Sequence, residues 1–341
     1  MKRENFSLAN YIFFCAATIA VFLVCLCVGS VGISPANVFQ SVLSFLTGGD
    51  IGTAPAGKII VFVRLPRVIC AALTGATLSV CGAAMQGLLK NPLADGSTLG
   101  VSSGAALGAV LAIALGGAMP FFANAGIVPT AIIFAFVSLF AIIALANKLD
   151  SGLAANTIIL TGVVFSMFAN SLISLIISFS GEKIKPIIFW TMGSLADANY
   201  SNALLLLIAF LTASAVIIKN AAELNACAIG EENARHVGVN VKRVKLLILI
   251  ASSAAIGICV SVSGTIGFVG LIVPHITRLL TGPNHKRLLP ASAFFGAYFL
   301  MLADLLARFA LSPRELPVGV ITSLIGALMF LSVFYRASRN K

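Results

Sequence analysis

One polar stretch of this chain concentrates ionisable side chains. Between Lys219 and Lys245 runs NAAELNACAIGEENARHVGVNVKRV, a polar stretch in a sequence that is otherwise almost wholly apolar. Ala221 to Ala228 and Glu231 to Val237 each suit a short helix, with Gly230 between them and Gly238 ending the second. Glu231 and Glu232 fall in the first turn of the second helix, where negative charge meets the positive end of the helix dipole. Such a pair of helices is too short to be an enzyme and well sized to enter a groove on a soluble partner. A solvated connector without a partner fits the same residues.

Other groupings with chemical potential are weaker. Asp304 and Arg308 lie one helical turn apart, which lets them pair, and Arg308 alternatively faces an external mouth. Gly52 to Lys58 looks like the start of a G-x-x-x-x-G-K-[ST] phosphate loop. Ile59 stands where the magnesium-binding hydroxyl belongs, Pro55 interrupts the loop and no buried strand precedes it, so the segment is rejected. The seven cysteines mostly lie in apolar runs without metal-ligand spacing, and His236, His275 and His285 form no metal signature. No metal site, cofactor or catalytic residue is expected.

The elements that carry these groups are membrane spans. With 341 residues, 59% hydrophobic, 10% charged and a mean hydropathy of +1.06, the chain falls outside the range of water-soluble domains. The expectation is an all-α polytopic membrane protein, a single domain over residues 1–341 with about ten transmembrane helices, each roughly 20 residues long. The expected spans are Leu8 to Gly32, Ile59 to Leu89, Gly96 to Gly116, Phe121 to Asn147, Leu153 to Ser180, Ser201 to Lys219, Val244 to Gly264, Phe268 to Leu280, Leu288 to Leu311 and Leu316 to Tyr335. The run Tyr11 to Ile33 exceeds a cleavable signal and is kept as a permanent helix. Placing the amino terminus inside puts Lys2, Arg3, Lys90, Lys148 and the basic residues of the polar stretch in the cytoplasm, with roughly twice as many basic residues inside as outside. Both termini and the polar stretch are therefore expected in the cytoplasm, and the net charge of +11 is a topology signal rather than a sign of nucleic-acid binding. Gly96, Gly100, Gly104 and Gly108 form a small-residue stripe that admits another backbone closely.

Several ordered motifs carry a resemblance. Gly230-Glu-Glu-Asn-Ala-Arg-His-Val-Gly-Val-Asn240, Ser263-Gly-Thr-Ile-Gly-Phe-Val-Gly-Leu-Ile-Val-Pro-His-Ile-Thr-Arg278 and Glu315-Leu-Pro-Val-Gly319 resemble the FecCD/BtuC-like permease subunits that import iron siderophores, haem and vitamin B12. Arg64-Leu-Pro-Arg67, Gly82-Ala-Ala-Met-Gln-Gly87, Asn91-Pro-Leu-Ala94 and Leu99-Gly-Val-Ser-Ser-Gly104 are similar to the amino-terminal half of the same family. The motifs stand in the family's order over almost the whole chain.

The resemblance implies the type II ABC importer permease fold, in a bacterial or archaeal plasma membrane. It implies a cytoplasmic ABC ATPase homodimer, an extracytoplasmic substrate-binding protein and a second permease subunit, with a homodimer favoured. The polar stretch, residues 220–243, then becomes the ATPase-coupling element, carried by Ala228, Gly230, Glu231, Glu232, Arg235, His236 and Gly238. Arg64, Arg67 and Arg308 match positions suited to docking the binding protein, with interfacial snorkelling as the alternative. Val164, Ser166, Met167, Asn170 and Ser174 on the fifth span are candidates for the translocation path, and Leu153 to Thr157 for the inner gate. Cargo is implied to be an iron(III)-siderophore-type chelate first, with vitamin B12, haem or molybdate as alternatives. The resemblance also implies two related helix bundles in opposite orientations, a repeat not visible in the residues themselves. An ATP-independent secondary transporter and a membrane enzyme are the rival classes, and no embedded catalytic motif supports the second.

Overall fold

The computed structural model describes residues 8–29, 32–48, 55–96, 99–117 and 119–339. Lys2 and Arg3, used above for topology, lie outside them, as does the start of the Gly52 to Lys58 segment. The regular elements of the described residues are all helices, with no strand among them. Apolar helix is the only local solution for these runs, because hydrocarbon offers backbone groups no partner but each other.

The helices are α1 (Leu8–Cys27), α2 (Pro35–Leu46), α3 (Pro55–Ile59), α4 (Leu65–Leu88), α5 (Val101–Leu115), α6 (Pro120–Ala125), α7 (Ile127–Leu149), α8 (Ala155–Phe179), α9 (Ile184–Thr191), α10 (Tyr200–Lys219), α11 (Ala221–Ile229), α12 (Glu231–His236), α13 (Val241–Ser263), α14 (Val269–Thr281), α15 (His285–Phe309) and α16 (Val318–Arg339). A π-helical turn, Ile60–Arg64, fuses α3 to α4 into one 34-residue span. Seven helices have the length and composition to cross a bilayer, and α5, α14 and the stretch Val318–Ser332 of α16 are shorter apolar helices, which together give the expected ten. The rejected phosphate-loop segment is helical from Pro55 onward, continuous with the span.

At the centre stands α4, which packs on α10, α13, α14 and α15 and is buried along almost its whole length. Small residues make those crossings possible. A Cβ on Gly82 would collide with the carbonyl oxygen of Gly270 on α14, and one on Gly75 with that of Gly296 on α15. The glycine stripe behaves likewise, since Gly104 and Gly108 lie directly against Ser138, Phe134 and the Thr130 carbonyl of α7.

The contacts also reveal the repeat that the residues hide. α5 lies on α7 as α14 lies on α15, α4 packs on α15 as α13 packs on α7, and α8 follows α7 as α16 follows α15. In each set of four the second helix is short, 15 residues in α5 and 13 in α14. Irregular backbone precedes both short helices, and each opens from a left-handed residue, Gly100 at φ 78° and Phe268 at φ 68°. Non-helical chain at this depth is tolerated where protein surrounds it, and here the Thr265 hydroxyl donates to the Thr191 carbonyl while Ser194 N donates to the Ser263 carbonyl at 2.8 Å.

Candidate functional site

Two polar groupings occupy opposite ends of the bundle. At one end sits the polar stretch, which folds as α11 and α12 with Gly230 between them and Gly238 beyond at φ 87°. Three small side chains, Cys227, Ala234 and Val241, are buried and seal this knuckle onto the start of α13. Cys227 is packed tightly enough that burial, reinforced by Glu231, raises its thiol pKa. Ala228, Glu232, Arg235, His236 and Gly238 remain exposed and Glu231 is partly so, which leaves a charged outer face.

The knuckle is tied to the spans at two points. Asn225 donates from Nδ2 to Asn284 Oδ1 at 2.9 Å, and its Oδ1 accepts from the His285 backbone N–H at 2.8 Å and lies 2.8 Å from His285 Nδ1. That fixes α11 to the first turn of α15. Glu231 Oε1 meets Lys245 Nζ at 2.8 Å, and the same ammonium donates to the Leu153 carbonyl at 2.8 Å. Leu153 belongs to the turn that launches α8, the helix with the candidate path residues. Asp150 braces that turn, accepting from Gly152 N at 2.8 Å and Ala154 N at 2.6 Å. Those two N–H groups, Ala154 first, hold the Asp150 carboxyl below the usual carboxylate range.

Along α8, Val164, Met167, Asn170 and Ser174 share an exposed face, and Ser166 is half-buried beside it. Ser174 donates to the Asn170 carbonyl at 2.9 Å, so that hydroxyl is satisfied within its own helix. The face is mostly apolar with polar interruptions, which suits weak, multiple contacts with a passing solute and offers no cage for an ion.

At the other end the structure corrects the expectation for the three arginines. Arg64, Arg67 and Arg308 are 4%, 5% and 5% exposed, so none presents its guanidinium to an external partner. Arg67 Nε donates to Asp304 Oδ1 at 3.0 Å and its Nη1 to Glu315 Oε2 at 2.8 Å. Arg308 Nε lies 3.1 Å from Asp304 Oδ2, which makes real the pairing that the i, i+4 spacing allows. Arg64 donates to the carbonyls of Leu26 and Cys27, and Arg308 to that of Cys25. These are the last carbonyls of α1, which lack helical partners at a C-terminus and attract cations there. The physical reason for the burial is therefore helix capping and pairing around Asp304. Snorkelling, the alternative for these residues, is also absent, because the heads point inward. Lys58, Lys183, Lys185 and Arg314 stay exposed near this end.

Beside that cluster opens a cavity of about 910 Å³, lined in part by Phe122, Lys183, Trp190, Asp197, Asn202 and Glu315. It is mainly apolar with charged residues at its edge.

Comparison with known proteins agrees with this architecture. A family model described as the FecCD transport family matches residues 17–336. A Bacillus subtilis (strain 168) protein named as the uncharacterized ABC transporter permease YvrB is 44% identical over 340 residues, 99% of this chain and 96% of that one. A Halobacterium salinarum protein named as the cobalamin import system permease BtuC is 41% identical over 281 residues, 82% of this chain and 74% of that one. Among solved structures, an inward-facing conformation of a "metal-chelate type ABC transporter" superposes with a TM-score of 0.83 at 30% identity, covering 97% of this chain and 100% of that one.

Proposed function

The chain belongs to the FecCD transport family of ABC importer permeases, and from that premise we propose that it carries an iron(III)-siderophore-type metal chelate across the plasma membrane, driven by separate ATPase subunits. The observation that carries this reading is the α11–α12 knuckle, a charged two-helix surface held rigidly against the ends of α13 and α15 in a chain otherwise made of apolar spans. A secondary transporter needs no such surface.

In this reading the knuckle, residues 220–243, docks in the cytoplasm on an ATPase homodimer, and Glu232, Arg235 and His236 form its outer face. Both termini are then cytoplasmic, and the arginine cluster lies at the external end. Two copies of the chain pair so that their α8 helices face a common path lined by Val164, Ser166, Met167, Asn170 and Ser174. The Asn170 amide on an outward helix face is costly against lipid and inexpensive against a hydrated path, which supports this placement. A binding protein docks at the external end. With Arg64, Arg67 and Arg308 engaged internally, the basic contacts available to its acidic residues are Lys58, Lys183, Lys185 and Arg314.

Metal chelate leads because the solved neighbour bears that description over the full chain. Cobalamin is the second reading, favoured by the Halobacterium relative, and haem and molybdate stay within the family's range. The test is uptake into proteoliposomes holding the chain with its ATPase and binding protein, offered labelled iron(III)-desferrioxamine, cyanocobalamin, haemin and molybdate in parallel. ATP-dependent uptake of the iron chelate supports the proposal. Uptake of cobalamin alone replaces the cargo, and uptake without ATPase overturns the importer reading.

A further inference from the structure

Lys245 is among the largest fully buried side chains of the protein, and it is charged. It stands one turn into α13 on a face whose other members, Val241, Val244, Ile248 and Leu249, are all buried. A leucine would pack there without an ammonium to desolvate. Buried ion pairs add little or nothing to stability over an apolar residue of similar size, so stability alone does not account for a lysine at this point.

What the ammonium does and a leucine would not is join two separate parts of the chain. It contacts Glu231 of α12 at 2.8 Å and the Leu153 carbonyl at 2.8 Å, from a side chain that is 1% exposed. The turn on the far side is stiff. Besides the two amides held by the Asp150 carboxylate, Leu153 N donates to the Asp150 carbonyl at 3.0 Å, and Leu153 is left-handed at φ 52° with its side chain wholly buried. The helix α8 begins two residues later, at Ala155. A displacement of α12 therefore acts on Lys245, through it on the Leu153 carbonyl, and so on the first turn of α8. Asn225 makes the equivalent tie from α11 to α15, through Asn284 and His285.

We propose that Lys245 is the positioning residue that transmits movement of the coupling knuckle to α8, linking Glu231 to the turn at Leu153. The proposal rests on the importer reading, in which the knuckle is what the ATPase moves. Lys245 touches neither nucleotide nor cargo; its work is to make hydrolysis count as transport.

The test is made on the assembled importer in proteoliposomes, with iron(III)-desferrioxamine and cyanocobalamin as probes and uptake read per ATP hydrolysed. Lys245→Met is expected to keep the ATPase bound and hydrolysing while that ratio falls about tenfold, a typical coupling effect, and Lys245→Arg to recover most of it. An unchanged ratio in an assembled Lys245→Met complex overturns the proposal. Should that variant fail to assemble, Glu231→Gln, which keeps shape and removes only the charge, is expected to lower the same ratio, and an unchanged ratio there overturns it equally. A second readout needs no ATPase. Spin labels at the exposed positions Asn233 and Ser151 of the purified chain are expected to give one narrow distance, broadened in Lys245→Met or Glu231→Gln; identical distributions in parent and variant refute the link. If the parent complex shows no ATP-driven uptake of any probe, the importer reading fails while the spin-label distances still decide whether Lys245 makes the connection.

Discussion

Arg67 and Asp304, 237 residues apart in sequence, meet with Nε 3.0 Å from Oδ1 where α4 crosses α15. Asp304 is 1% exposed and serves Arg308 as well, so Asp304→Asn leaves two buried guanidiniums short of a counter-charge. Breaking a buried pair this way costs about 3–5 kcal/mol. Glu315, the other carboxylate on Arg67, has a 45% exposed side chain, and pairs of that kind contribute about 0–1 kcal/mol. Thermal denaturation in detergent is expected to show a large fall for Asp304→Asn and a small one for Glu315→Gln. Equal effects would show that Asp304 does not organise the cluster.

The crossings of α4 leave no room for a methyl group. Gly82→Ala and Gly75→Ala each force a Cβ onto a backbone carbonyl of a facing helix, and overpacking costs about 1–3 kcal/mol. Both variants should lower thermal stability, whereas Gly32→Ala, with open space around its Cβ, should not. Loss confined to transport, with stability intact, would mean that these glycines serve motion rather than packing.

The outer face of the knuckle should be separable from the fold. Glu232 and Arg235 are exposed, and surface substitutions of this kind usually change stability by less than about 0.5 kcal/mol. Glu232→Lys or Arg235→Glu is expected to reduce co-purification of the ATPase while the denaturation midpoint of the permease stays put. Undiminished co-purification and transport would remove these residues from the docking surface.

Asp150 supplies a pH test. Its folded pKa is depressed by the Ala154 and Gly152 amides, so its contribution to stability is complete above the unfolded-state pKa and disappears as pH falls through the lower, folded one. Asp150→Asn should therefore be less stable than the parent near neutrality, and the gap should close on acidification through that range. A gap independent of pH would show that the amide bonds to the carboxylate are not its source.

Apolar run length made the ten spans legible, since a helix that must cross hydrocarbon announces itself by composition. The knuckle was legible too, because Gly230 and Gly238 punctuate it and its charges contrast with everything around them. The arginines were misjudged for a definite reason: Arg64, Arg67 and Arg308 sit near predicted span ends, where sequence offers solvent as the default, while their actual partners are carbonyls at Leu26 and Cys27 and an aspartate brought from a distant helix. Only the i, i+4 spacing of Asp304 and Arg308 hinted at the cluster. Lys245 carried a clearer signal that charge counting obscured. Val241, Val244, Ile248 and Leu249 mark a buried helical face, and a lysine in register with them is a charge in a core position. The two-fold repeat stayed hidden because it resides in which helices touch, while the residues that make the contacts differ between halves.

The arginine caps on α1 also bear on how the protein is made. Synthesis delivers α1 to the bilayer well before α15, since Arg308, which meets the Cys25 carbonyl, lies 283 residues further along the chain. Before α15 enters, Arg64 can already cap the Leu26 and Cys27 carbonyls, while the Cys25 carbonyl still lacks its Arg308 donor. That end of α1 is thus finished only when a helix made much later packs beside it, and a nascent chain lacking α15 carries α1 with its cap half built.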